Sequence, residues 1–98
     1  MATSKRILRV ELTPKLKAQI RRLQKKQRKH IGAVITAVRD GFGSPHLHSG
    51  LGIRRLRDTI FECRVDLRLR LVFYLEAGTI SFTDLGTHGE IRNLLKSL

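Results

Sequence analysis

Residues 61–75 read FECRVDLRLRLVFYL, and apolar side chains recur there at every second position. The odd positions are all apolar, whereas most even positions are charged, among them Arg64, Arg68 and Arg70. Because strand side chains point alternately to two faces, this period of two predicts β-structure with one face on a core. The other face presents arginines, which favours an anionic ligand, and a phosphodiester is the obvious candidate.

The charge of the whole chain points to the same kind of ligand. Its 98 residues include 20 Lys and Arg against 8 Asp and Glu, a formal net charge of +12, and the pI is near 11.3. Such an excess is typical of a nucleic-acid-binding protein. The surplus is uneven, because residues 1–43 carry a net charge of +10 and residues 44–98 a net charge of +2.

The length predicts one domain over residues 1–98, since two cores would not fit and 41% hydrophobic residues suffice for one core. A basic chain can also bind a membrane surface, but no apolar run approaches the roughly 20 residues of a transmembrane helix, and no signal segment opens the chain. The lone Cys63 has the apolar parity, which predicts a buried, reduced thiol and a cytoplasmic protein. One cysteine and four scattered histidines lack standard metal-ligand spacing, so we expect neither a metal nor another cofactor.

Helix signals dominate the first half of the chain. Thr13 followed by Pro14 predicts the start of a helix, because proline is tolerated at the first helical position, and the apolar spacing extends it to about Lys29. A break near residues 30–32 should separate it from a second helix that ends at Gly41. The two helices are therefore expected to form a hairpin.

Strands are predicted on either side of this hairpin. A short strand should open the chain at residues 7–10, and the alternating stretch should break near residues 66–68 into two strands. After a turn at residues 77–78, residues 79–85 form the last strand, and a capping box at residues 87–90 begins a short terminal helix. The predicted order is strand, two helices, three antiparallel strands and helix.

The first predicted helix concentrates positive charge. It carries eight cations and no acid: Lys15, Lys17, Arg21, Arg22, Lys25, Lys26, Arg28 and Lys29. Like charges one helical turn apart repel, and an anionic partner would relieve this cost. A solvated charged face is the alternative, although such faces normally mix both signs. The residues expected to bind RNA are Lys15, Arg22, Lys25, Lys26, Lys29, Arg54, Arg55, Arg57 and Arg68.

Three short strings, in their order and spacing, resemble the RelE/ParE superfamily of toxins from bacterial toxin–antitoxin pairs. They are Leu56-Arg57 with Arg64-Val65, Arg70-Leu71-Val72-Phe73, and Leu85-Gly86-Thr87-His88. The motifs cover roughly residues 45–91, and the predicted element order matches over the whole chain. The resemblance implies an α+β fold: a mostly antiparallel sheet with an N-terminal helical hairpin and a short C-terminal helix.

For the RelE branch, the resemblance implies a toxin that cuts mRNA in the ribosomal A site and is silenced by an antitoxin protein. By position, Arg70 and His88 match catalytic residues of this branch, and Arg64 matches a basic or histidine position of the middle strand. His46 matches a histidine that YafQ-like members carry in an H-x-x-x-G stretch. The ParE branch shares the fold and instead poisons DNA gyrase. That alternative stays open, as does a non-catalytic RNA-binding module.

The chemistry of RNA cleavage agrees with these roles. Without a metal it needs a base for the 2′-hydroxyl, cationic donors for the crowded phosphate and an acid for the leaving 5′-oxygen. Arg64 and Arg70 share the non-core parity, and a guanidinium binds two phosphate oxygens at once. His88 would begin a helix, where backbone N–H groups favour an anion. As structural alternatives, the two arginines could pair with Glu62 and Asp66, and His88 could simply start its helix.

Two features depart from the family pattern. Glu62 occupies a position that is basic in the type member, where it could pair with an arginine. Many RelE-branch members carry an aromatic residue shortly after the G-x-H string, whereas this chain has Gly89, Glu90 and Ile91. These departures are the reason that the ParE alternative is retained.

Overall fold

The structure is a computed structural model that describes residues 8–44 and 50–98. Its elements are β1 (Arg9–Leu12), α1 (Pro14–Arg21), α2 (Lys25–Gly41), β2 (Arg54–Arg57), β3 (Ile60–Arg64), β4 (Leu69–Glu76), β5 (Thr79–Thr87) and α3 (His88–Lys96). Over the described residues this order confirms the predicted one and adds the arginine-rich β2, which was not expected as a strand. No helix among the described residues is long and apolar enough to cross a membrane.

The strands form one sheet in the order β1-β5-β4-β3-β2. β1 runs parallel to β5, and every other neighbouring pair is antiparallel. The α+β class and the mostly antiparallel sheet are therefore as predicted. Pairing with β5 places the opening strand two residues later than expected, since Arg9 lies opposite Thr79 and Leu12 opposite Phe82.

The main core lies between the sheet and the helix pair α1–α2. Phe73 and Phe82, both fully buried, pack with their ring centroids 5.3 Å apart, and Leu16 of α1 and Val38 of α2 close over them. The odd positions of the alternating stretch supply this core, as predicted. Leu67 is the exception and is 95% exposed, because it lies in the β3–β4 turn, where strand alternation no longer applies.

We call the opposite face of the sheet, which carries the even positions of β3 and β4, the arginine face. It is not simply solvated. The terminal helix α3 packs on it and buries Ile91 against Ile60 and Val72 in a second, smaller core. Because an amphipathic helix must bury its apolar stripe, α3 leaves only part of this face to charged residues.

The break between the first two helices lies earlier than predicted. Helix α1 ends at Arg21 and α2 begins at Lys25, so the expected helix to Lys29 and the break near residues 30–32 were wrong. From this earlier break Leu23 packs against the main core, and the Gln27 side chain accepts a hydrogen bond from the Gln24 backbone N–H at 3.4 Å. The helix therefore starts at this local cap and continues through Gly32, although glycine disfavours a helix interior.

The remaining local signals are confirmed. The Thr13 hydroxyl accepts a hydrogen bond from the Leu16 N–H at 3.2 Å, and Pro14 is the first residue of α1. The β4–β5 turn is made by Ala77 and Gly78, both with positive φ. These features form as predicted because their causes lie within a few residues of each other.

Candidate functional site

Three arginines meet at one end of the arginine face. In the β3–β4 ladder Arg64 lies directly opposite Arg70, and in the β2–β3 ladder Arg54 lies opposite Glu62. Arg70 in turn lies opposite Gly86 of β5. Strand pairing thus brings Arg54, Arg64 and Arg70, which we call the arginine cluster, to neighbouring positions beside the β3–β4 turn.

The Glu62 carboxylate lies beneath this cluster. Its Oε2 is 3.6 Å from Arg70 Nη1 and 3.7 Å from Arg54 Nε. Glu62 is 1% exposed, whereas the Arg70 side chain is 19% exposed and the Arg54 side chain 63%. Arg70 thus pairs with Glu62, as in the structural alternative in which the two arginines pair with Glu62 and Asp66. Among the ion pairs of the described residues, none joins Arg64 to Glu62 or to Asp66.

Arg64 is fixed by its backbone and by a close approach of the preceding segment. Its N–H donates to the Leu51 carbonyl at 3.1 Å. Gly52 has φ of +65°, and a Cβ at that position would lie 3.1 Å from the Arg64 Cβ. A glycine is therefore required for the chain to pass over this arginine. The Arg64 side chain remains exposed and can reach a ligand.

His88 begins α3 at the same end of the sheet. It follows the N-cap residue Thr87, whose hydroxyl accepts from the Glu90 N–H at 3.2 Å, while Glu90 Oε1 accepts from the Thr87 N–H at 2.8 Å. This second hydrogen bond is the main cause of the lowered pKa of Glu90. His88 is exposed and stands two residues beyond Gly86, the partner of Arg70.

The N-terminal turns of α2 reach this end from the other side of the sheet. His30 Nε2 donates to the Val65 carbonyl at 2.7 Å. A cavity of about 200 Å³ lies between the two elements, lined by Lys26 and His30 from α2 and by Asp66 from the β3–β4 turn. Three predicted RNA-binding residues, Lys25, Lys26 and Lys29, are exposed on these turns, and Arg68 is exposed in the β3–β4 turn.

Other predicted residues lie elsewhere or have structural partners. Lys15 forms an ion pair with Asp84 of β5. Arg57 Nη2 donates to the Leu95 carbonyl at 3.0 Å and to that of Leu98 at 3.4 Å, so it stabilises the end of α3. Two more, Arg22 and Arg55, are exposed outside the cluster, Arg22 after α1 and Arg55 on β2 opposite Phe61. His46 lies outside the described residues.

Two residues have positions that the sequence did not predict: Gln19 beside β5, and Glu62, whose pairing with an arginine was considered but whose burial was not. Gln19 holds α1 against β5, because its Nε2 donates to the Leu85 carbonyl at 2.9 Å and its Oε1 accepts from the Leu85 N–H at 3.0 Å. No pattern in the sequence marks this glutamine. For Glu62 a signal existed, since Glu62 and Asp66 both lie two residues from Arg64 on the parity of the arginines, but the burial of Glu62 was not foreseen.

The arrangement can bind and act on a phosphodiester. Guanidinium groups at neighbouring strand positions match phosphate oxygens, and an exposed imidazole two residues beyond the strand partner of Arg70 can transfer a proton. The N–H groups that begin α3 favour the same anion. Within residues 8–44 and 50–98, no three His, Cys, Asp or Glu side chains are grouped so that they could hold a metal ion.

No family model matches the sequence, and no curated protein matches it significantly. Solved structures do match. An archaeal RelE–RelB complex from Pyrococcus horikoshii contains a chain that superposes with a TM-score of 0.69 at 13% identity, over 85% of this chain and 97% of that one. A YoeB–YefM complex from Staphylococcus aureus superposes with a TM-score of 0.62 at 19% identity, over 83% of this chain and 97% of that one. YafQ from E. coli superposes with a TM-score of 0.55 at 14% identity, over 86% of this chain and 97% of that one. The chain therefore has the same fold as these proteins.

Proposed function

We propose that this chain, which has the RelE/ParE toxin fold, is the toxin of a type II toxin–antitoxin pair and cleaves mRNA on the ribosome. The observation that carries the proposal is the arginine cluster, together with the exposed His88 at the start of α3. Structures of the same fold include a RelB–RelE antitoxin–toxin complex from Methanococcus jannaschii, which supports an antitoxin protein as a partner.

In the proposed reaction the 2′-hydroxyl of the RNA attacks the adjacent phosphorus. The new P–O2′ bond forms as the P–O5′ bond breaks, which gives a 2′,3′-cyclic phosphate and a free 5′-hydroxyl. Arg70 and Arg64 stabilise the negative charge on the phosphate oxygens. The 2′-hydroxyl loses one proton and O5′ gains one: His88 carries out one of these transfers, and solvent water carries out the other. The guanidinium groups supply the cationic charge, so we expect no metal to be needed.

Binding and catalysis use different parts of the surface in this proposal. Lys25, Lys26 and Lys29 lie at the same end of the sheet as the arginine cluster but on the opposite side of it, where they can follow a ribosomal or messenger RNA backbone. The net charge of +12 favours an acidic or amphipathic antitoxin segment that covers the cluster. Because the proposed substrate is mRNA on ribosomes, we expect the protein to act in the cytoplasm.

Cleavage of mRNA on programmed ribosomes tests the proposal. Arg70→Ala and His88→Gln should each lower the rate by at least ~10²-fold, the usual scale for the loss of one electrostatic or acid–base group. Arg9→Ala, which removes an exposed arginine from β1 at the other edge of the sheet, serves as the charge-matched control and should cleave normally. Circular dichroism should confirm that all variants fold.

The products distinguish the mechanisms. Ends with a 2′,3′-cyclic or 3′-phosphate and a 5′-hydroxyl are expected, and cleavage should survive EDTA as far as the ribosome remains intact. Products with a 5′-phosphate would exclude attack by the 2′-hydroxyl. Wild-type cleavage rates in both Arg70→Ala and His88→Gln would remove these residues from the mechanism. In cells that express the protein, growth arrest with DNA damage but intact translation would favour gyrase as the target.

A further inference from the structure

A buried carboxylate in a strongly basic protein requires an explanation. Glu62 is 1% exposed and is the one charged side chain that is buried among the described residues. Val72 lies directly opposite it on β4, and Ile60 precedes it on the same face of β3, so apolar side chains lie on two sides of it. An ionised carboxylate is costly in such a place unless cations lie beside it.

Two guanidinium groups lie beside it, and they are not equivalent. Arg54 approaches from the edge strand with a side chain that is 63% exposed, so water screens its charge. Arg70 approaches from the centre of the sheet and is 19% exposed. Glu62 Oε2 and Arg70 Nε are both buried, and neither has a hydrogen-bond partner. The attraction between Glu62 and Arg70 is therefore the less screened of the two.

The position of Glu62 also bears on the repulsion between two arginines of the arginine cluster. Arg64 and Arg70 are a directly opposed cross-strand pair, and like charges in this arrangement repel each other. Glu62 precedes Arg64 by two residues on the same face and is the diagonal neighbour of Arg70. Its negative charge offsets the repulsion and gives the Arg70 guanidinium a preferred direction, towards the carboxylate and away from Arg64.

We infer that Glu62 is a positioning residue, which holds the Arg70 guanidinium through Nη1 so that Nη2, rather than the buried Nε, faces the scissile phosphate. The inference deepens the proposed function and rests on it. Glu62 itself is buried below the cluster and does not touch the RNA. Its contribution is to fix a flexible side chain before the substrate arrives, which lowers the barrier of the chemical step.

Three variants separate position from charge. Glu62→Gln keeps the shape of the side chain and removes its charge, whereas Glu62→Asp keeps the charge and shortens the side chain. Glu76→Gln is the matched control, because it removes a carboxylate from the exposed end of β4 without an arginine beside it. The kcat and KM for mRNA cleavage on programmed ribosomes are measured for each variant, per mole of folded protein.

Glu62→Gln should lower kcat at least about 10-fold, because misplacement of a catalytic group by about 1 Å costs up to 10²-fold. KM should stay the same or fall, since the loss of a negative charge strengthens attraction to RNA. Glu62→Asp should retain more activity than Glu62→Gln, and Glu76→Gln should match the wild type. A purely structural role would lower the folded fraction and leave kcat per folded molecule unchanged.

An NMR measurement gives a readout that does not depend on cleavage. The Nε–H signal of Arg70, assigned by its absence in Arg70→Lys, should be sharp and protected from exchange in the wild type and should broaden or shift in Glu62→Gln and Glu62→Asp. An active wild type with an unchanged kcat in Glu62→Gln would overturn the inference alone. An inactive wild type would overturn the proposed function, and an unchanged Arg70 signal in both variants would then overturn the inference as well.

Discussion

The attachment of α1 to the edge of the sheet can be tested with Gln19→Ala. β1 pairs with β5 only as far as Leu12 and Phe82, so the rest of β5 has no strand on that side. The Gln19 amide takes the place of one, because it donates to the Leu85 carbonyl at 2.9 Å and accepts from the Leu85 N–H at 3.0 Å. Alanine removes both hydrogen bonds and leaves the Leu85 backbone groups without these partners.

The expected loss follows from these two bonds. Each partly buried hydrogen bond stabilises the fold by about 1 kcal/mol, so the free energy of unfolding should fall by about 2 kcal/mol. Alanine is the better helix former, but this gain is only a few tenths of a kcal/mol. In a domain of this size 1 kcal/mol corresponds to roughly 4–8 °C, so the Tm should fall by roughly 10 °C.

Urea unfolding followed by circular dichroism measures this effect. Lys17→Ala, on the exposed side of the same helix, is the control and should change the free energy of unfolding by less than about 0.5 kcal/mol. Gln19→Glu keeps the acceptor for the Leu85 N–H and loses the donor to its carbonyl, so it should also destabilise the protein. An effect of Gln19→Ala no larger than that of Lys17→Ala would refute the reasoning, because solvent would then satisfy β5 equally well.

Three further predictions concern charge and burial. Replacement of Lys25, Lys26 and Lys29 by Gln should flatten the salt dependence of ribosome binding, because fewer counterions are released, and an unchanged slope would mean that these turns are only a solvated face. Hydrogen bonds from the Leu69 and Arg68 N–H groups lower the pKa of Asp66 below its ordinary value of 3.8. The ionised carboxylate therefore stabilises the fold fully at a pH above 3.8, and this stabilisation is lost as the pH falls through the lowered pKa of the folded state. Asp66→Asn should therefore weaken the acid dependence of urea stability, and an identical pH profile would contradict this. Burial raises the pKa of the Cys63 thiol to about 12, so a thiol reagent at pH 8 should react only as fast as the protein unfolds, and rapid labelling of the folded protein would contradict its burial.

The sequence by itself determined the features whose causes are local. Alternation over residues 61–75 predicted β3 and β4, and the capping residues at residues 13–14 and 87–90 marked the starts of α1 and α3. The shared parity of Arg64 and Arg70 also placed them on one face. Each of these inferences depends on residues within a few positions of each other, where backbone geometry alone relates the side chains.

Only the tertiary structure decided which part of the arginine face stays open and what lies beneath the cluster. Glu62 and Arg70 have the same parity, but one is almost fully buried and the other reaches the surface, because α3 packs on this face through Ile91. Arg54 joined the cluster through the β2–β3 pairing, which the sequence did not predict as a strand pair. Burial and charge pairing depend on segments that are distant in the chain, and the period of a single strand contains no information about which segment will cover it.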